Sequence, residues 1–408
     1  MNILLINHYA GTPALGMEYR PYYLAREWVD QGHRVCIVAS AQSHYRALQP
    51  QPGLETIDGI DYLWLPTPSY SGNGWGRMRN IVSFLSQVLS RAPELLNRFR
   101  PDAVIASSTY PMDNWVAHRL AQQAQARYVY EVHDLWPLSP IELSGMSPWH
   151  PFALICQSAE DYAYRHADVV VSMLPKVHEH MSRRGLDLKK LHIIPNGISP
   201  REWEPQTRSQ PLRDDVSLAI DAARRQAAAV VGYAGTMGGP NALEFLLQAA
   251  QLMRGDAVHF VLVGDGLQRA ALMDYIQAHS LDHVHLLPPI QKAQIPAFLS
   301  AVDVAYIGWR RSPIYRFGIA PNKLLDYMMA ARVVLHSVQA GNDPVAEAGC
   351  GLTVTPEDPQ AIASGLRQLI GLTPQHRRAL GERGKAWVKQ HHTYPVLARQ
   401  FLRALERV

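Results

Sequence analysis

The chain has 408 residues, of which 47% are hydrophobic and 18% are charged, a composition typical of a globular protein with two domains of ordinary size. Its formal net charge of +4 is too small to indicate a nucleic-acid-binding protein, and no apolar run reaches the ~20 residues of a membrane-spanning helix. The 3 cysteines are far apart in the sequence, which argues against a disulfide framework and against a CxxC-type metal site.

The N-terminal residues 1–10 read directly as the start of a strand. They contain neither a basic segment nor a cleavable apolar segment of the kind found in secretory signal peptides. We therefore expect a cytoplasmic protein.

Short runs rich in β-branched residues alternate with amphipathic helical patterns along the chain. This alternation predicts an α/β fold with two doubly wound domains, because parallel strands need crossover helices between them. Strands are predicted at residues 3–7, 34–39, 102–107, 127–132 and 168–173 in the first half, and at 229–235, 258–264, 284–288, 302–308 and 332–337 in the second. The boundary is predicted near residues 195–211, where proline, glycine, serine and charged residues cluster without apolar periodicity.

Ligands of doubly wound sheets bind beyond the carboxyl ends of the strands, so the loops after the strands are the places to look for a site. The loop after the first strand contains Gly11 and Gly16 and leads into a helix that includes Arg20. Glycine at a helix start lets the backbone approach a phosphate closely, but the spacing is not GxGxxG. Plain turn glycines remain the alternative.

Residues 75–91 form a helical pattern with one apolar face. Trp75, Arg77, Arg79 and Arg91 lie around its two ends. Such a helix can rest in a membrane surface, with the aromatic ring and the cations at the lipid headgroups. An ordinary core helix of the first domain is the equal alternative.

The segment EVHDLWP at residues 131–137 places charged side chains directly after a buried strand. Polar groups there are expected to meet a ligand, pair with one another or cap the next helix. His133 and Asp134 have the chemistry to bind the hydroxyls of a sugar, while Trp136 packs nearby. A purely structural role for His133 is the alternative.

The second half repeats the pattern of strand, glycine loop and helix at residues 232–250. Gly235, Thr236 and the two glycines that follow leave amide groups available for a diphosphate. Farther along, Arg316 is a candidate to neutralise phosphate charge.

Residues 315–330 join a glycine loop to a helix start. Gly318 permits a tight turn, and Lys323 adds a cation to the partial positive charge of the helix terminus. Asp326 lies one turn inside the helix, where a carboxylate can accept hydrogen bonds from a ribose. The alternative is an ordinary helix start in which Asn322 caps the helix and Asp326 complements the helix dipole.

The order of these motifs over nearly the whole chain resembles that of the retaining glycosyltransferases of family four (GT4). Besides the loops above, the resemblance rests on IIPNGI at 193–198, LVGDG at 262–266, FGIAPNKLLDYMMAARVV at 317–334 and EAGCGLTV at 347–354. It is similar in particular to bacterial surface-polysaccharide enzymes that transfer N-acetylated amino sugars such as fucosamine.

The resemblance implies a GT-B fold, in which two Rossmann-like doubly wound domains face each other across a cleft. Residues 1–197 would then be an acceptor-binding domain and residues 213–390 a nucleotide-sugar-binding domain, joined by a linker at 198–212. Residues 391–408 would form a C-terminal helix that crosses back to the first domain.

Carried over residue by residue, the resemblance gives Asp326 the place of the second acid of the family's two-glutamate motif, which holds the ribose. Asn322, Lys323 and the amides around Gly318 would face the diphosphate or the donor sugar. Tyr315 stands where many members have the first glutamate, and the usual Arg and Lys of the second glycine loop are missing. Neutralisation of the diphosphate is therefore expected to shift toward Lys323, Arg316 and helix dipoles.

In the first domain, the resemblance places Gly16 beside the phosphates and His133 at the hydroxyls of the donor sugar. His133 and Lys323 are thus the candidate catalytic residues, and Arg20 and Asp134 are candidate acceptor-binding residues. Departure of a diphosphate needs preorganised hydrogen-bond donors rather than a metal, and the sequence offers no DxD pair to hold one. We expect neither a metal nor a cofactor.

The predicted function is transfer of a sugar, with retention, from a UDP-sugar to a saccharide or undecaprenyl-diphosphate-linked acceptor, with a peripheral contact at the inner membrane. A GT-B epimerase acting on a UDP-sugar would share the nucleotide site but should show catalytic carboxylates, and no convincing pair is found. A noncatalytic nucleotide-sugar-binding protein would keep Asp326 and Lys323 but need not keep the His-Asp loop.

Overall fold

The structure is a computed structural model that describes residues 1–16, 19–44, 46–70, 72, 74–204 and 210–406. The chain divides into two compact units. The first contains residues 1–196 together with the C-terminal segment that begins at Tyr394, and the second is Gly197–Thr393.

The first unit is built around an eight-stranded sheet. Its strands are β1 (Asn2–Ile6), β2 (Arg34–Ser40), β3 (Gly53–Ile57), β4 (Ile60–Leu65), β5 (Ala103–Ala106), β6 (Arg127–Val132), β7 (Val169–Ser172) and β8 (Leu191–Ile193). Across the sheet their order is β3-β4-β2-β1-β5-β6-β7-β8, and every neighbouring pair is parallel except β3 with β4. Strands β2 to β4 lie on one side of β1, and strands β5 to β8 lie on the other side. The switch point of the sheet is therefore between β1 and β5, which is where doubly wound sheets bind ligands.

The second unit contains a six-stranded parallel sheet. Its strands are β9 (Ala229–Ala234), β10 (Val258–Val263), β11 (Val284–Leu287), β12 (Val304–Gly308), β13 (Val333–Ser337) and β14 (Gly351–Thr353). Their order, β11-β10-β9-β12-β13-β14, is that of a Rossmann fold, with its switch point between β9 and β12.

Helices cover both sheets, as buried parallel strands require. They are α1 (Arg20–Asp30), α2 (Trp75–Ser90), α3 (Ala92–Phe99), α4 (Asp113–Ala124), α5 (Leu138–Ser144), α6 (Pro151–His166), α7 (His178–Arg183), α8 (Asp214–Arg225), α9 (Leu243–Leu252), α10 (Arg269–Ala278), α11 (Ile295–Ala301), α12 (Asn322–Met329), α13 (Pro344–Ala348), α14 (Pro359–Gly371), α15 (Pro374–His391) and α16 (Tyr394–Leu405). Among the described residues, none of these helices combines the length and apolar character needed to cross a bilayer.

The C-terminal helix α16 belongs to the core of the first unit. Its residue Phe401 lies edge-on to Trp28 of α1, with 5.2 Å between the ring centroids, and Tyr394 stacks on Tyr23 at 4.8 Å. The Trp28 indole also donates a hydrogen bond to the carbonyl of Ala398, at 3.2 Å. The segment after β8 belongs to the second unit, because Ile198 and Trp203 are buried in the core of that unit. Residues 205–209 of the predicted linker lie outside the described residues.

The doubly wound α/β prediction is confirmed for both halves of the chain, and each strand predicted from the sequence is present. The patterns do not indicate β3, β4, β8 or β14. β8 and β14 are three residues long, which is too short for a periodic pattern, and β3 is mostly exposed.

Candidate active site

A connected set of buried polar side chains lies at the carboxyl ends of β1, β5 and β6. Asn7 donates to the carbonyl oxygen of Ser107 at 2.6 Å, and the Ser107 hydroxyl donates to Oε2 of Glu131 at 2.6 Å. The same hydroxyl lies 2.9 Å from Nε2 of His133. Parallel strands end at one edge of the sheet, so residues far apart in sequence meet there.

Glu131 anchors this cluster through a buried ion pair with Arg20, the first residue of α1. Nε of Arg20 lies 2.9 Å from Oε1 of Glu131, and the Arg20 and Glu131 side chains are 4% and 0% exposed. The other guanidinium nitrogens donate to the carbonyls of Ile194 and Pro195. Burial by itself would raise the pKa of Glu131, but the Arg20 charge and hydrogen bonds from His133 and Ser107 lower that pKa to about 2. Glu131 is therefore ionised at neutral pH.

Arg20, predicted to bind the acceptor, is thus held inside the first unit. Nε and both terminal nitrogens each donate to a protein oxygen, and the residue is only 5% exposed. These contacts tie α1 to β6 and to the end of β8, and the predicted role of Arg20 in acceptor binding remains a prediction.

His133 and Asp134 differ in their surroundings. His133 is 8% exposed, and Nε2 lies 3.4 Å from Oε2 of Glu131, so its ring is oriented by Glu131 and Ser107. Asp134 is reached by solvent, and it lines a cavity of about 720 Å³ within the first unit. Protein atoms still surround its carboxyl closely, so desolvation raises the pKa of Asp134 against a lowering by His133.

Gly16 lies in the loop between β1 and α1, with φ of 110°. Its backbone pairs with that of Arg46, and a Cβ atom at Gly16 would lie 2.9 Å from the amide nitrogen of Ala47. Only glycine fits this close approach. Its predicted place beside a phosphate remains a prediction.

In the second unit, Lys323 of α12 lies against the glycine loop that follows β9. Its Nζ donates to Oδ1 of Asn241 at 2.6 Å and to the hydroxyl of Tyr233 at 3.0 Å. A Cβ atom at Gly235 would lie 3.1 Å from Nζ of Lys323, so the absence of a side chain at Gly235 makes room for the ammonium group. Desolvation lowers the pKa of Lys323 to about 8, because burial disfavours the charged form.

Tyr233 extends this arrangement to Thr236. The Tyr233 hydroxyl donates to the carbonyl oxygen of Thr236 at 2.6 Å, while Thr236 itself is exposed. The loop after β10 braces the glycine loop from the other side, since the amide of Met237 donates to the carbonyl of Asp265 at 2.8 Å. Gly235, Thr236 and Lys323, three of the predicted donor-site residues, are therefore brought together.

The remaining predicted residues lie at the start of α12. Gly318 ends a short 3₁₀ segment, Pro313–Phe317, and Asn322 is the exposed first residue of the helix. No side-chain hydrogen bond caps this helix, so Asn322 is not the capping residue that the alternative interpretation requires. Arg316 is exposed, donates to the carbonyl of Pro313 at 2.6 Å and stacks over Phe317 with its guanidinium carbon 4.2 Å from the ring centroid.

Asp326 lies on α12 one turn after Lys323, and its side chain is half-buried. Burial raises the pKa of Asp326 to about 7, with a lowering by Lys292 and a further raising by Glu202. Within the part of the chain that the structure describes, no protein donor forms a hydrogen bond with this carboxylate. Its predicted role at a ribose remains a prediction.

Sequence reasoning did not single out Ser107, Tyr233 or Asn241. Tyr233 occupies a strand position that reads as core, and Ser107 ends a strand without any motif. Asn241 follows the glycine loop and carried the better signal, because a polar side chain there lies near the amides that the loop exposes.

Two family models match the chain, one for each unit. Residues 16–197 match a glycosyl transferase 4-like domain, and residues 228–371 match the glycosyl transferases group 1 domain. The chain is a glycosyltransferase of the GT4 type. The resemblance to GT4 glycosyltransferases seen in the sequence is confirmed, whereas the fucosamine-type specificity and the retaining mechanism remain predictions.

Relatives and solved structures agree with this assignment. The glycosyltransferase is 22% identical over 375 residues to WcaI of Escherichia coli K12, a protein named as a putative colanic acid biosynthesis glycosyl transferase. The alignment covers 87% of this chain and 89% of the relative. Sucrose-phosphate synthase from Thermosynechococcus elongatus has a TM-score of 0.71 at 17% identity, with 99% of this chain and 98% of the other covered. HepE from Anabaena, solved in complex with UDP and glucose, has a TM-score of 0.68 at 18% identity with full coverage of both chains. The GT-B fold of this glycosyltransferase is confirmed by these structures.

Proposed function

We propose that this GT4-type glycosyltransferase transfers an N-acetylated hexosamine-type sugar, with retention and without a metal, from a UDP-sugar. The acceptor is a saccharide, in free or undecaprenyl-diphosphate-linked form, in the synthesis of a surface polysaccharide such as lipopolysaccharide. The enzyme works in the cytoplasm, with a peripheral contact at the inner membrane. The names of WcaI and of the HepE complex with UDP and glucose support the polysaccharide role and the UDP donor.

The observation that carries the proposal is the fixed position of Lys323 beside Gly235. Cleavage of the anomeric bond leaves negative charge on the diphosphate, and a preorganised cation and free amides stabilise that charge as it develops. The glycine loop itself has no Arg or Lys, and Lys323 supplies the missing cation from α12. Tyr233 and Asn241 hold its ammonium group in place before substrate binds.

The other residues take roles around this centre. The Asp326 carboxylate accepts from the ribose hydroxyls, and the amides near Gly318 and Asn322, together with Arg316, face the phosphates. His133, oriented by Ser107 and Glu131, hydrogen-bonds hydroxyls of the donor sugar. Retention follows from attack on the same face of the sugar, assisted by the leaving phosphate, and needs no protein nucleophile.

The donor site is tested by thermal shift of the purified chain with UDP, GDP, ADP and dTDP. A ligand at 100 times its Kd stabilises a folded protein by about 2.7 kcal/mol, which is readily measured. We expect a shift with UDP that is lost in Asp326→Ala. No shift with any nucleotide would contradict the proposal.

Product analysis separates the transferase from its rivals. Wild-type enzyme incubated with UDP-N-acetylhexosamines and a saccharide acceptor should form a glycoside of unchanged anomeric configuration, with equal yield in the presence of a chelator. Formation of an epimerised UDP-sugar without transfer would indicate the epimerase. Binding without any turnover would indicate a nucleotide-sugar-binding protein.

A further inference from the structure

The cavity lined by Asp134 is used by none of the roles above. It opens within the first unit between the start of α2, helix α5 and the start of α6, and its volume of about 720 Å³ is within the ~300–1,000 Å³ range of small-molecule sites. Its wall is largely apolar, because Met78, Ile81, Trp136 and Phe152 line it and belong to one hydrophobic cluster. An apolar wall of this kind favours a ligand that has apolar surface to bury.

The apolar lining continues to the protein surface. Trp75 is 87% exposed, Leu143 55% and Ile155 43%, and all three line the cavity. Trp149, which is 82% exposed, directly precedes the lining residues His150 and Pro151. Large exposed apolar patches mark sites of interaction, and exposed tryptophans are enriched where proteins meet the membrane interface.

Polar groups line the same cavity. Asp134 is adjacent in the chain to His133, so the cavity borders the buried polar cluster of the first unit. Arg77 contributes a cation, and its Nε donates to the hydroxyl of Tyr9 at 3.1 Å. A ligand that fills the cavity and reaches this cluster must therefore combine an apolar part with polar groups, and Arg77 favours an anionic group among them.

We propose that this cavity binds the part of the acceptor's isoprenoid chain that lies next to the diphosphate. The sugar attached to that diphosphate is then directed toward Asp134 and His133. This inference rests on the proposed function, because it takes the lipid-linked form of the acceptor as the substrate. The prenyl chain enters past Trp75 and Leu143, and Arg77, which lines the cavity, contacts the diphosphate. The ligand then brings the enzyme to the membrane surface, because the rest of the prenyl chain stays in the lipid bilayer.

The test uses the full-length chain and farnesyl diphosphate as a soluble probe, with inorganic diphosphate as the probe without a chain. Binding is measured by calorimetry for wild type, Leu143→Gln and Ile155→Gln. Leu154→Gln is the matched control, because Leu154 neighbours Ile155 on α6 and is 48% exposed but does not line the cavity. All three positions are partly exposed, so the variants are expected to fold.

We expect farnesyl diphosphate to bind wild type, and to bind Leu143→Gln and Ile155→Gln at least about tenfold more weakly, with no change in Leu154→Gln. Inorganic diphosphate should bind far more weakly than farnesyl diphosphate. Equal affinity for the two probes, or equal loss in the Leu154→Gln control, would overturn the proposal. So would a dimer in sedimentation that dissociates in Ile155→Gln, because the patch would then be an interface between two copies.

UDP binding to the same variants separates this inference from the proposed function. If UDP binds and a soluble saccharide is glycosylated while farnesyl diphosphate does not bind, the cavity assignment fails and the transferase stands. If farnesyl diphosphate binds as expected while no nucleotide binds, the transferase proposal fails and the cavity remains a prenyl-chain site.

Discussion

The ammonium group of Lys323 lies 3.0 Å from the hydroxyl of Tyr233, so a cation carried by one helix is fixed against the glycine loop that follows a different strand. The loop itself contains no Arg or Lys, and in the proposed function Lys323 supplies the cation there. Catalysis by this enzyme should therefore depend on α12 more than on the glycine loop itself.

The first prediction concerns Lys323 directly. Lys323→Ala should lower kcat by about 10²- to 10³-fold, because it removes a preorganised donor to the leaving diphosphate. The measurement is steady-state transfer at saturating donor. Lys389→Ala, which changes an exposed lysine of α15, is the control and should leave kcat unchanged. A kcat within twofold of wild type in Lys323→Ala would remove Lys323 from the mechanism.

The second prediction is a pH dependence. Desolvation lowers the pKa of Lys323 to about 8, so the free enzyme should lose its cation as the pH rises through 8. The expected result is a fall in kcat/KM above pH 8 that Lys323→Arg abolishes, since arginine stays charged. Profiles measured between pH 6 and 10 for both proteins provide the check, and an alkaline limb that persists in the arginine variant must come from another group.

The third prediction separates ligand binding from stability at Asp326. Its raised pKa, about 7, means that the folded state binds a proton more tightly than the unfolded state. Protonation of Asp326 therefore increases the free energy of unfolding at low pH, and this contribution is lost as the pH rises through about 7. Asp326→Asn should raise the melting temperature of the ligand-free protein at pH 8 yet raise the donor KM about tenfold or more, because a charged hydrogen-bond acceptor is lost.

Calorimetric melting and donor titration of the same Asp326→Asn sample would check both halves of that prediction. The matched control is Asp282→Asn, an exposed aspartate of the second unit. A variant that melts lower and binds UDP normally would show that Asp326 is a structural residue.

The fourth prediction tests the buried ion pair of the first unit. Arg20→Ala leaves the Glu131 carboxylate buried without its cation, which should destabilise the first unit by about 3–5 kcal/mol. Because the pKa of Glu131 is lowered to about 2, the contribution of the pair is present at neutral pH and disappears as the pH falls toward 2. Arg183→Ala, which breaks an exposed pair with Glu179, should change stability by less than about 1 kcal/mol. If urea titrations gave similar losses in the free energy of unfolding for the two variants, burial of the ion pair would not determine how much its loss destabilises the protein.

The fifth prediction concerns the orientation of His133. Ser107→Ala removes a hydroxyl that contacts both the imidazole and Glu131, so transfer should fall about tenfold while UDP binding is unchanged. The diagnostic readout is the NMR chemical shifts of the His133 ring, which should change in Ser107→Ala and stay in place in Ser90→Ala, a change at an exposed serine whose hydroxyl donates to the Gln87 carbonyl of α2. Unchanged ring signals together with full activity would contradict the positioning role.

The fold was predictable because its signals are local and repeated. Continuous apolar runs such as Val258–Val263 indicate buried parallel strands, and the helical segments between them give the doubly wound arrangement. The hairpin of β3 and β4 also had a usable signal in Asp58 and Gly59, which both adopt positive φ in the turn. The sequence pattern was weak there because β3 lies at the exposed edge of the sheet.

The site was only partly predictable because its contacts are not local. Lys323 and Asp326 stand in a motif of glycine loop and helix start, for which the sequence left a phosphate site and an ordinary helix start as equal alternatives. Tyr233 and Asn241, which hold Lys323, are separated from it by 90 and 82 residues, and only Asn241, which follows the glycine loop, carried a signal in its own neighbourhood. For Arg20 the local signal pointed elsewhere, because its position at a helix start suggested contact with a ligand. Its partner in the structure is Glu131, which lies 111 residues away in the sequence.

Helix α16 has a consequence for biosynthesis. Its residues Phe401 and Tyr394 complete the hydrophobic core of the first unit, yet the ribosome makes them after the whole second unit. The first unit can therefore reach its final packing only when α16 has left the exit tunnel, whereas the second unit, continuous from Gly197 to Thr393, can finish earlier. A premature stop just before Tyr394 would leave the second unit whole and expose the core of the first. Cellular proteases should therefore degrade such truncated chains by attacking the first unit.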